Sequence, residues 1–372
     1  MHGTILKLLK KITEANFKAY VVGGYVRDLW LNRRSVDVDI CTNATPQELQ
    51  EIFGRAMLPN VNYGSVTVIY NKIRFEITTF RKEIKYENNR LPVKIRYIDN
   101  LIDDLKRRDF TINTLCMDEN GEIIDLMGAT KDLDNKIIKM IGNPRKRLKE
   151  DALRILRAVR FATILNFKLD DSLKKYIKKY GYLLNKLSYY RKQSELEKIF
   201  TSSNSSYGIE LLKELDLVQH LELHNIDGLI IVPSLIGVWT QLGVDDIYSF
   251  SKHDKKIMKE IRELLKLDIC DSKVLYKYGL YTCSIAAEIL NISKKIITKK
   301  YNDLVIHSKK DIKISAKEIV DILGPNSRKY ISYIIEDLEN LILENKLENN
   351  FLILKEYIVE RYIDIQNKKN NI

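Results

Sequence analysis

The spacing of hydrophobic and polar positions changes once along the chain. From residue 19 to about residue 141, short apolar runs alternate with turns and helical segments. The runs predict strands at Ala19–Val22, Val36–Cys41, Ser65–Tyr70, Arg74–Phe80, Glu122–Leu126 and Ile137–Ile141. After Asn143-Pro144, the apolar residues fall mostly at helical spacing. The pattern therefore predicts an α+β fold, with a mixed N-terminal part followed by an all-helical part.

Several helix starts are marked by their end-capping residues. Thr45-Pro46-Gln47-Glu48 and Ser315-Ala316-Lys317-Glu318 each place a hydroxyl at the cap and a glutamate three residues later, which is the pattern of a capping box. Gly324-Pro325 precedes a long amphipathic segment that contains Ile331 and Leu338. These signals predict helices directly after Thr45 and Ser315 and another after Pro325.

Composition excludes several classes of protein. The 372 residues are 45% hydrophobic and 30% charged, with 15 Gly and 6 Pro, which is typical of a folded chain of about two or three domains. The longest apolar stretch, Leu229–Trp239, is interrupted by Pro233 and is too short to span a membrane. The N-terminus has no signal-peptide pattern, so we expect a cytoplasmic protein without a membrane partner. The scattered cysteines predict neither disulfides nor zinc, but reduced core residues: Cys41, Cys116, Cys270 and Cys283.

Positive charge is concentrated in one segment. The formal net charge is +12, and residues 142–200 alone carry 16 Lys and Arg against 6 Asp and Glu. A lysine-rich stretch can be an ordinary solvated surface. Here the arginines are regularly spaced beside carboxylates, which favours a site for a polyanion such as a nucleic acid.

Two carboxylates lie in the second predicted strand. In Val36-Asp37-Val38-Asp39-Ile40, Asp37 and Asp39 should project to one face because side chains two apart on a strand point the same way. Such a pair repels itself unless a cation neutralises it, and paired carboxylate oxygens suit Mg²⁺. Glu76, in the next predicted strand but one, is a candidate third carboxylate for catalysis.

A glycine pair follows the first predicted strand. In Val22-Gly23-Gly24-Tyr25-Val26-Arg27-Asp28, the two glycines allow the backbone to approach a phosphate, and Arg27 falls in the first turn of the next helix. A glycine pair alone is usually only a turn. Because Asp37 and Asp39 follow within about 15 residues, the combination favours a polyphosphate bound beside a metal ion.

The order of four motifs resembles a known family. The motifs are Gly23-Gly24-x-Val26-Arg27-Asp28, Asp37-x-Asp39, Arg107-Arg108-Asp109-Phe110-Thr111-Ile112-Asn113, and Glu150-Asp151-x-x-Arg154-x-x-Arg157-x-x-Arg160. They resemble the class II tRNA nucleotidyltransferases, which are the CCA-adding enzymes and poly(A) polymerases of the polymerase-β superfamily. The resemblance is continuous over about residues 15–200 and weaker around 315–360.

The resemblance implies an architecture. It implies a polymerase-β-like nucleotidyltransferase head, a mixed sheet with helices, at residues 1–141. An all-α neck at 142–204 would recognise the nucleotide. A helical body at 205–280 and a helical tail at 281–372 would follow, and the tail would bind tRNA.

The resemblance also implies an activity and the residues that perform it. The chain would add CMP and AMP, from CTP and ATP, to the tRNA 3′ end with Mg²⁺ as cofactor and without a nucleic-acid template. Asp37 and Asp39 match the metal ligands. The matching nucleotide-binding positions are Gly23, Gly24, Arg27, Arg108, Asp109, Asn113, Asp151, Arg154, Arg157 and Arg160.

The neck motif has a physical rationale. If Asp151 and Arg154 lie three apart on one helix, a carboxylate acceptor stands beside a guanidinium donor. That pair complements the amino group and adjacent ring nitrogen of cytosine or adenine, whereas guanine and uracil present a carbonyl oxygen instead of the amino group. Arg157 and Arg160 are rotated further round the helix and are expected to serve phosphates.

Related activities remain open. The segment Arg81–Pro92, which includes Arg90, matches the full-length flexible loop of the family and disfavours CC-only addition. Full CCA addition and A-only addition are not distinguished. Poly(A) polymerases share the motifs but usually carry a basic strand that is absent from Leu58–Tyr70. Tyr189-Tyr190-Arg191 lacks the acidic residue that the family usually has before its arginine, although Glu195 follows.

Two interpretations would place the chain in a different functional class, and the sequence favours them less. His253-Asp254 could belong to an HD-type phosphohydrolase, which would also need an upstream histidine and a downstream aspartate. A non-catalytic RNA-binding protein is disfavoured because Asp37 and Asp39 are both intact.

Overall fold

The chain folds into two compact units, Met1–Ile226 and Asp227–Ile372. The structure is a computed structural model that describes residues 1–35, 37–54, 57–62, 64–87 and 91–370. The first unit combines sheets and helices, and the second is helical, so the predicted α+β fold is confirmed. The finer division into head, neck, body and tail stays a prediction.

The first unit has a strand at or near each run predicted from the sequence, together with further strands that were not predicted. They are β1 (Ala19–Val22), β2 (Asp39–Thr42), β3 (Met57–Asn62), β4 (Ser65–Tyr70), β5 (Ile73–Thr79), β6 (Arg81–Glu87), β7 (Leu91–Tyr97), β8 (Cys116–Met117), β9 (Ile123–Ile124), β10 (Ile137–Ile138) and β11 (Lys168–Leu169).

Among the described residues, seven strands form one mixed sheet in the order β3-β4-β5-β2-β1-β8-β9. β2 and β5 pair in parallel, and the other neighbours are antiparallel. β5, β2 and β1 are adjacent in the middle of the sheet, and Asp39 on β2 is paired with Glu76 on β5 and with Val22 at the end of β1. β6 and β7 form a separate antiparallel pair, and β10 and β11 a short parallel pair.

The helices of the first unit surround this sheet and continue beyond it. They are α1 (His2–Thr13), α2 (Gly24–Trp30), α3 (Pro46–Phe53), α4 (Leu101–Lys106), α5 (Ala129–Asp134), α6 (Pro144–Glu150), α7 (Leu153–Leu165), α8 (Asp171–Tyr180), α9 (Tyr189–Phe200), α10 (Ser205–Glu214) and α11 (Val218–Leu221). The capping box predicted at Thr45 is present at the start of α3.

The core beneath the sheet joins residues from distant parts of the chain. Val22, Cys41, Phe80, Leu105 and Cys116 pack in one buried cluster. Burial of such apolar side chains is the main stabilising contribution to a fold of this kind. All four cysteines are free thiols; three are buried as predicted, whereas Cys270 in the second unit is only half-buried.

Several strand predictions need correction. The second strand begins at Asp39 rather than Val36, and the predicted strands at Glu122 and Ile137 shorten to two residues each. β6 and β7 were not predicted, because their charged residues hide the alternation of a strand. β11 interrupts the segment expected to be all-helical, where Lys168–Leu169 pairs with Ile137–Ile138.

Every regular element in the described residues of the second unit is helical. The α-helices are α12 (Leu235–Leu242), α13 (Lys252–Leu264), α14 (Ser272–Ile289), α15 (Lys294–Asn302), α16 (Ala316–Leu323), α17 (Ile331–Leu343) and α18 (Phe351–Asn370). α14 is kinked at Gly279, whose φ of +74° is outside the helical range. Ser315 forms the predicted capping box of α16, and the amphipathic helix expected after Pro325 is α17. Within the described part of the chain, no helix is long and apolar enough to cross a membrane.

Candidate active site

The first unit contains a polar cleft of about 810 Å³. Every predicted site residue except Glu76 lines it. The cleft is lined by Gly23, Gly24, Arg27, Asp28, Ser35, Asp37, Asp39, Arg81, Arg107, Arg108, Asp109, Asn113, Asp151, Leu153, Arg154, Arg157, Arg160, Phe161 and Lys198. Basic side chains outnumber acidic ones along these walls, so the cleft suits an anionic ligand.

The paired aspartates enter the cleft from the start of β2. Asp37 precedes the strand and Asp39 is its first residue, so strand geometry alone does not align them. The burial pattern still alternates, because Val38 is buried between two exposed aspartates. Neither carboxylate forms a hydrogen bond or an ion pair with another described residue. Their charges are therefore available to a ligand.

The local electrostatics at Asp39 are unfavourable to its own negative charge. Although the residue is exposed at the cleft edge, the surrounding protein displaces part of its hydration, and this desolvation is the largest influence and raises the pKa of the carboxyl group. The Arg108 guanidinium opposes that shift, whereas the nearby charges of Glu76 and Asp37 add to it. A bound cation would relieve this repulsion, so the donor set fits a hard divalent metal ion such as Mg²⁺.

Glu76 lies beside Asp39 without lining the cleft. It occupies β5, where the parallel register places it directly opposite Asp39 on β2. Residues paired in this way share one face of a sheet. The flanking Phe75 and Ile77 are fully buried on the opposite face.

Within the described residues, no group of three His, Cys, Asp or Glu side chains is gathered closely enough to hold a metal ion.

Gly23 and Gly24 lie beside open space at one side of the cleft. Gly23 has a φ of +82°, a conformation that side chains other than glycine rarely adopt. A Cβ atom on Gly23 would lie 3.8 Å from Nη1 of Arg108, and one on Gly24 would lie 3.8 Å from Nη2 of Arg27. The turn thus faces two guanidinium groups across a gap that a side chain would begin to fill.

A chain of polar contacts connects this side of the cleft to the neck-motif helix α7. Arg27 donates from Nη1 to Oδ1 of Asn113 at 2.7 Å. Asn113 in turn donates to Oδ1 of Asp109 at 3.1 Å, and Arg157 donates from Nε to Oδ2 of Asp109 at 2.7 Å. Three sequence motifs are therefore joined side chain to side chain.

Asp109 is held in its ionised form. Burial acts to raise its pKa, but the Arg157 guanidinium and the hydrogen bonds from Asn113 and the Phe110 backbone outweigh burial and lower the pKa to about 2. Arg157 was predicted to serve phosphates. In the structure its guanidinium pairs with Asp109 while it also lines the cleft.

Asp104 is a positioning residue that the sequence analysis missed. Its carboxylate is fully buried and accepts from Nε of Arg107 at 2.8 Å and from Nη2 of Arg108 at 3.2 Å. It also accepts from the Arg81 backbone N–H at 3.1 Å. Its place at i−3 and i−4 from two arginines on one helical turn was the available signal.

Asp151 and Arg154 are neighbours, but not on one helix as predicted. Asp151 is extended, with φ −145° and ψ 105°, and separates α6 from α7. Its Oδ1 accepts from the Leu153 N–H at 3.0 Å. Arg154 is buried and donates from Nη1 to the Arg147 carbonyl at 2.7 Å.

This arrangement leaves donors and acceptors unused at the cleft. Oδ2 of Asp151, and Nε and Nη2 of Arg154, form no hydrogen bond with other described residues. Burial raises the pKa of Asp151, although Arg154 opposes the shift. An acceptor and a donor group thus stand together at the cleft wall.

Arg160 is paired with a buried carboxylate. Its Nε donates to Oε2 of Glu195 on α9 at 2.6 Å. Phe161, which was not predicted, lines the cleft and has the guanidinium carbons of Arg27, Arg157 and Arg160 between 4.1 and 5.4 Å from its ring centroid. Such cation–π contacts help to fix the arginine planes.

Two other sequence signals have different outcomes. Arg90 lies outside the described residues. In the second unit, Asp254 of the His253-Asp254 pair completes a capping box with Ser251 at the start of α13. The capping role accounts for Asp254 without any metal chemistry.

Family models match two parts of the first unit. Residues 19–139 match the poly A polymerase head domain, and residues 166–226 match the probable RNA and SrmB-binding site of polymerase A. The first match contains both aspartates and the Arg107–Asn113 segment. The second begins within the basic segment 142–200.

Similar proteins cover nearly the whole chain. The CCA-adding enzymes of Streptococcus uberis and Ligilactobacillus salivarius are 32% and 34% identical over 95% of this chain, and over 96% and 94% of their own lengths. The crystal structure of the Bacillus stearothermophilus CCA-adding enzyme in complex with CTP has a TM-score of 0.87 at 24% identity, covering 99% of this chain and 98% of that one. The fold, the motif residues gathered in the cleft and the full-length similarity agree. The chain belongs to the family of CCA-adding enzymes, which are tRNA nucleotidyltransferases.

Proposed function

We propose that the chain adds CMP and AMP, from CTP and ATP, to the 3′ end of tRNA and so builds or repairs the CCA terminus. The observation that carries the proposal is the joint placement of Asp37 and Asp39 with the Asp151 and Arg154 pair in one basic cleft. The first pair supplies a site for nucleotidyl transfer, and the second a site for reading a base. No nucleic-acid template is needed, because protein groups select the nucleotide.

Asp37 and Asp39 would hold Mg²⁺, and Glu76 would support them from the neighbouring strand. Neither aspartate has a competing partner among the described residues, and this together with the raised pKa of Asp39 supports the assignment. When bound, two such ions lower the pKa of the attacking 3′-hydroxyl and neutralise the departing pyrophosphate. The contribution of this chain is to fix the carboxylate oxygens at the cleft edge.

The triphosphate would lie between the glycine turn and two arginines. Gly23 and Gly24 leave the gap that faces Arg27 and Arg108. Guanidinium groups bind phosphate oxygens through paired, charge-assisted hydrogen bonds. Asp109 and Asn113, which are neighbours in the series of hydrogen bonds from Arg27 to Arg157, would contact the ribose.

Asp151 and Arg154 would read the base. Oδ2 of Asp151 can accept from the amino group of cytosine or adenine, and Nε or Nη2 of Arg154 can donate to the adjacent ring nitrogen. Uracil and guanine would place a carbonyl oxygen against the carboxylate and leave it without a donor. The phosphate role of Arg157 and Arg160 stays a prediction; Asp109 and Glu195 hold both side chains at the wall.

The basic segment 142–200 would hold the acceptor end of the tRNA through its phosphates. The helical second unit would recognise tRNA by shape and phosphate contacts rather than by base sequence. The cytoplasmic location expected from the sequence stays a prediction.

Single-nucleotide extension tests the proposal. One tRNA transcript ends at the base before CCA and another ends in CC, and each is supplied with CTP, ATP or both in the presence of Mg²⁺. We expect three nucleotides to be added to the first transcript when both substrates are present, and one A to the second. Extension of only the CC-ended transcript would indicate an A-adding enzyme, long A tails a poly(A) polymerase, and no incorporation an RNA-binding role.

A further inference from the structure

We propose that Arg147 is a positioning residue that sets the base-reading Arg154 relative to the phosphate-binding Arg108. This inference rests on the proposed function, because it takes Arg154 to bind the base and Arg108 to bind phosphate. Arg147 lies on α6 and does not line the cleft.

The side chain of Arg147 binds the backbone of the Arg107–Arg108 segment. Its Nη2 donates to the carbonyl oxygens of Arg107 and Arg108 at 2.5 Å each. Its Nη1 donates to Oε2 of Glu150 at 2.9 Å. The side chain is only 12% exposed, so these contacts are largely shielded from water. One planar guanidinium thus fixes two successive peptide units.

The backbone of Arg147 binds the base-reading arginine. Its carbonyl oxygen accepts from Nη1 of Arg154 at 2.7 Å, and Glu150 accepts from the same nitrogen at 3.4 Å. Arg147 therefore contacts the phosphate-binding segment with its side chain and the reading residue with its main chain. Residue 147 and Glu150 therefore form one path by which movement at one end reaches the other, beside the Asp109–Arg157 ion pair.

The opposite end of the segment is also fixed. The Arg107 and Arg108 guanidiniums bind the buried carboxylate of Asp104. The segment is consequently held from the head side by Asp104 and from the neck side by Arg147. The two anchors leave the Arg108 guanidinium little freedom to move relative to Arg154.

A fixed separation matters for selection. A correct base reacts faster than an incorrect one only if its pairing with Arg154 places the α-phosphate in line for attack. Small misplacements of reacting atoms lower rates steeply. If Arg154 could move relative to Arg108, a nucleotide with an incorrect base could shift its position and still place its triphosphate at the metal site. Arg147 should therefore influence which nucleotide is added more than whether tRNA binds.

The test compares Arg147→Met with Arg145→Met, an exposed arginine of the same helix. Single-nucleotide addition is measured with ATP against GTP on CC-ended tRNA and with CTP against UTP on tRNA lacking CCA. We expect Arg147→Met to lower discrimination by about tenfold or more, with an unchanged KM for tRNA. Arg145→Met should retain the discrimination of the parent protein.

Two further variants separate positioning from simple stability. Arg147→Lys keeps the charge, but its single nitrogen replaces the two arms that bind Glu150 (Nη1) and the two carbonyls (Nη2) separately, so discrimination should stay impaired. Arg147→Met added to Arg154→Met should cause little additional loss, because both act on one contact. Thermal unfolding of each variant reports whether it folds; if Arg147→Met does not, Arg147→Lys carries the test.

An equal fall in rate for all four nucleotides, or unchanged discrimination in both Arg147 variants, would overturn the inference. Failure of the parent protein to incorporate or to discriminate would instead overturn the proposed function. The two failures are therefore distinguishable in one set of reactions.

Discussion

Two groups of charged side chains in the cleft differ in how their charges are satisfied. We call Asp37 and Asp39 the head wall, and Arg154, Arg157 and Arg160 on α7 the neck wall. On the head wall, Asp37 and Asp39 form no hydrogen bond or ion pair with other described residues. On the neck wall, Arg154, Arg157 and Arg160 are bound to Glu150, Asp109 and Glu195, respectively. One wall keeps its charge for a ligand, and the other is already held in place.

This difference fits a division of labour. Groups that must neutralise a metal ion or a phosphate are most effective when no protein partner competes for them. Groups that must discriminate between bases need a fixed geometry, because a mobile donor would adapt to the wrong base. The following changes test whether the two walls separate transfer from selection in this way.

The largest effect is expected from Asp39→Asn. The amide keeps the shape but removes the charge that would hold Mg²⁺, so incorporation should fall by about a thousandfold. Loss of a charge that lies close to Asp37 and Glu76 should leave the melting temperature unchanged or raise it. Extension assays and thermal unfolding measure the two effects. Asp103→Asn, at an exposed ion pair on α4, is the matched control and should keep its activity.

Arg154→Met should affect selection instead of transfer. Methionine keeps much of the apolar stem but removes the donors, so preference for CTP over UTP and for ATP over GTP should fall by about ten- to a hundredfold. Incorporation itself should persist. The check is kcat/KM for each of the four nucleotides, with Arg145→Met as control. Unchanged ratios would remove Arg154 from base reading.

Asp109→Asn tests the fixed character of the neck wall through stability. The pKa of Asp109 is about 2, below its ordinary 3.8, so its stabilising contribution is present above about pH 4 and lost as the pH falls through 2. We expect the variant to be less stable by about 2 kcal/mol at pH 7, with the difference shrinking between pH 4 and pH 2. Urea unfolding over this pH range measures it. A difference that persists unchanged to pH 2 would contradict the ion pair with Arg157.

The smallest effect is expected on the exposed face of α8. Lys178 pairs with Asp216 at 3.0 Å, whereas the neighbouring exposed Lys179 has no ion-pair partner among the described residues. If this face contacts tRNA phosphates, Lys179→Ala should reduce the salt dependence of tRNA binding by about one phosphate contact. Lys178→Ala should reduce it less. Equal slopes for both variants and the parent protein would exclude this face from tRNA binding.

The sequence predicted the parts of the fold whose signals are local. Capping residues located the starts of α3 and α16, because a hydroxyl and a glutamate three residues apart act within one turn. The strands β1 and β4 were located by short runs rich in strand-favouring residues, Ala19–Val22 and Ser65–Tyr70. Charged residues hide the alternation of the hairpin β6–β7, and strands of two residues are too short to show a pattern.

The candidate site was predicted as a set of residues but not as a set of contacts. Motif order identified the residues that line the cleft. It did not reveal that Asp104 holds Arg107 and Arg108 or that Glu195 holds Arg160, because those pairings depend on tertiary structure. The break between α6 and α7 at Asp151 was also missed, since the apolar spacing continues across it.

Nucleotide binding by Asp39→Asn is the most direct test of the division between the two walls. Affinities for CTP, ATP, UTP and GTP are measured by titration calorimetry with Mg²⁺ present, for the variant and the parent protein. The account predicts that the variant loses incorporation but keeps the ratio of affinities for CTP and ATP over UTP and GTP. Loss of that ratio together with activity would show that selection and transfer depend on the same groups, which would contradict the account.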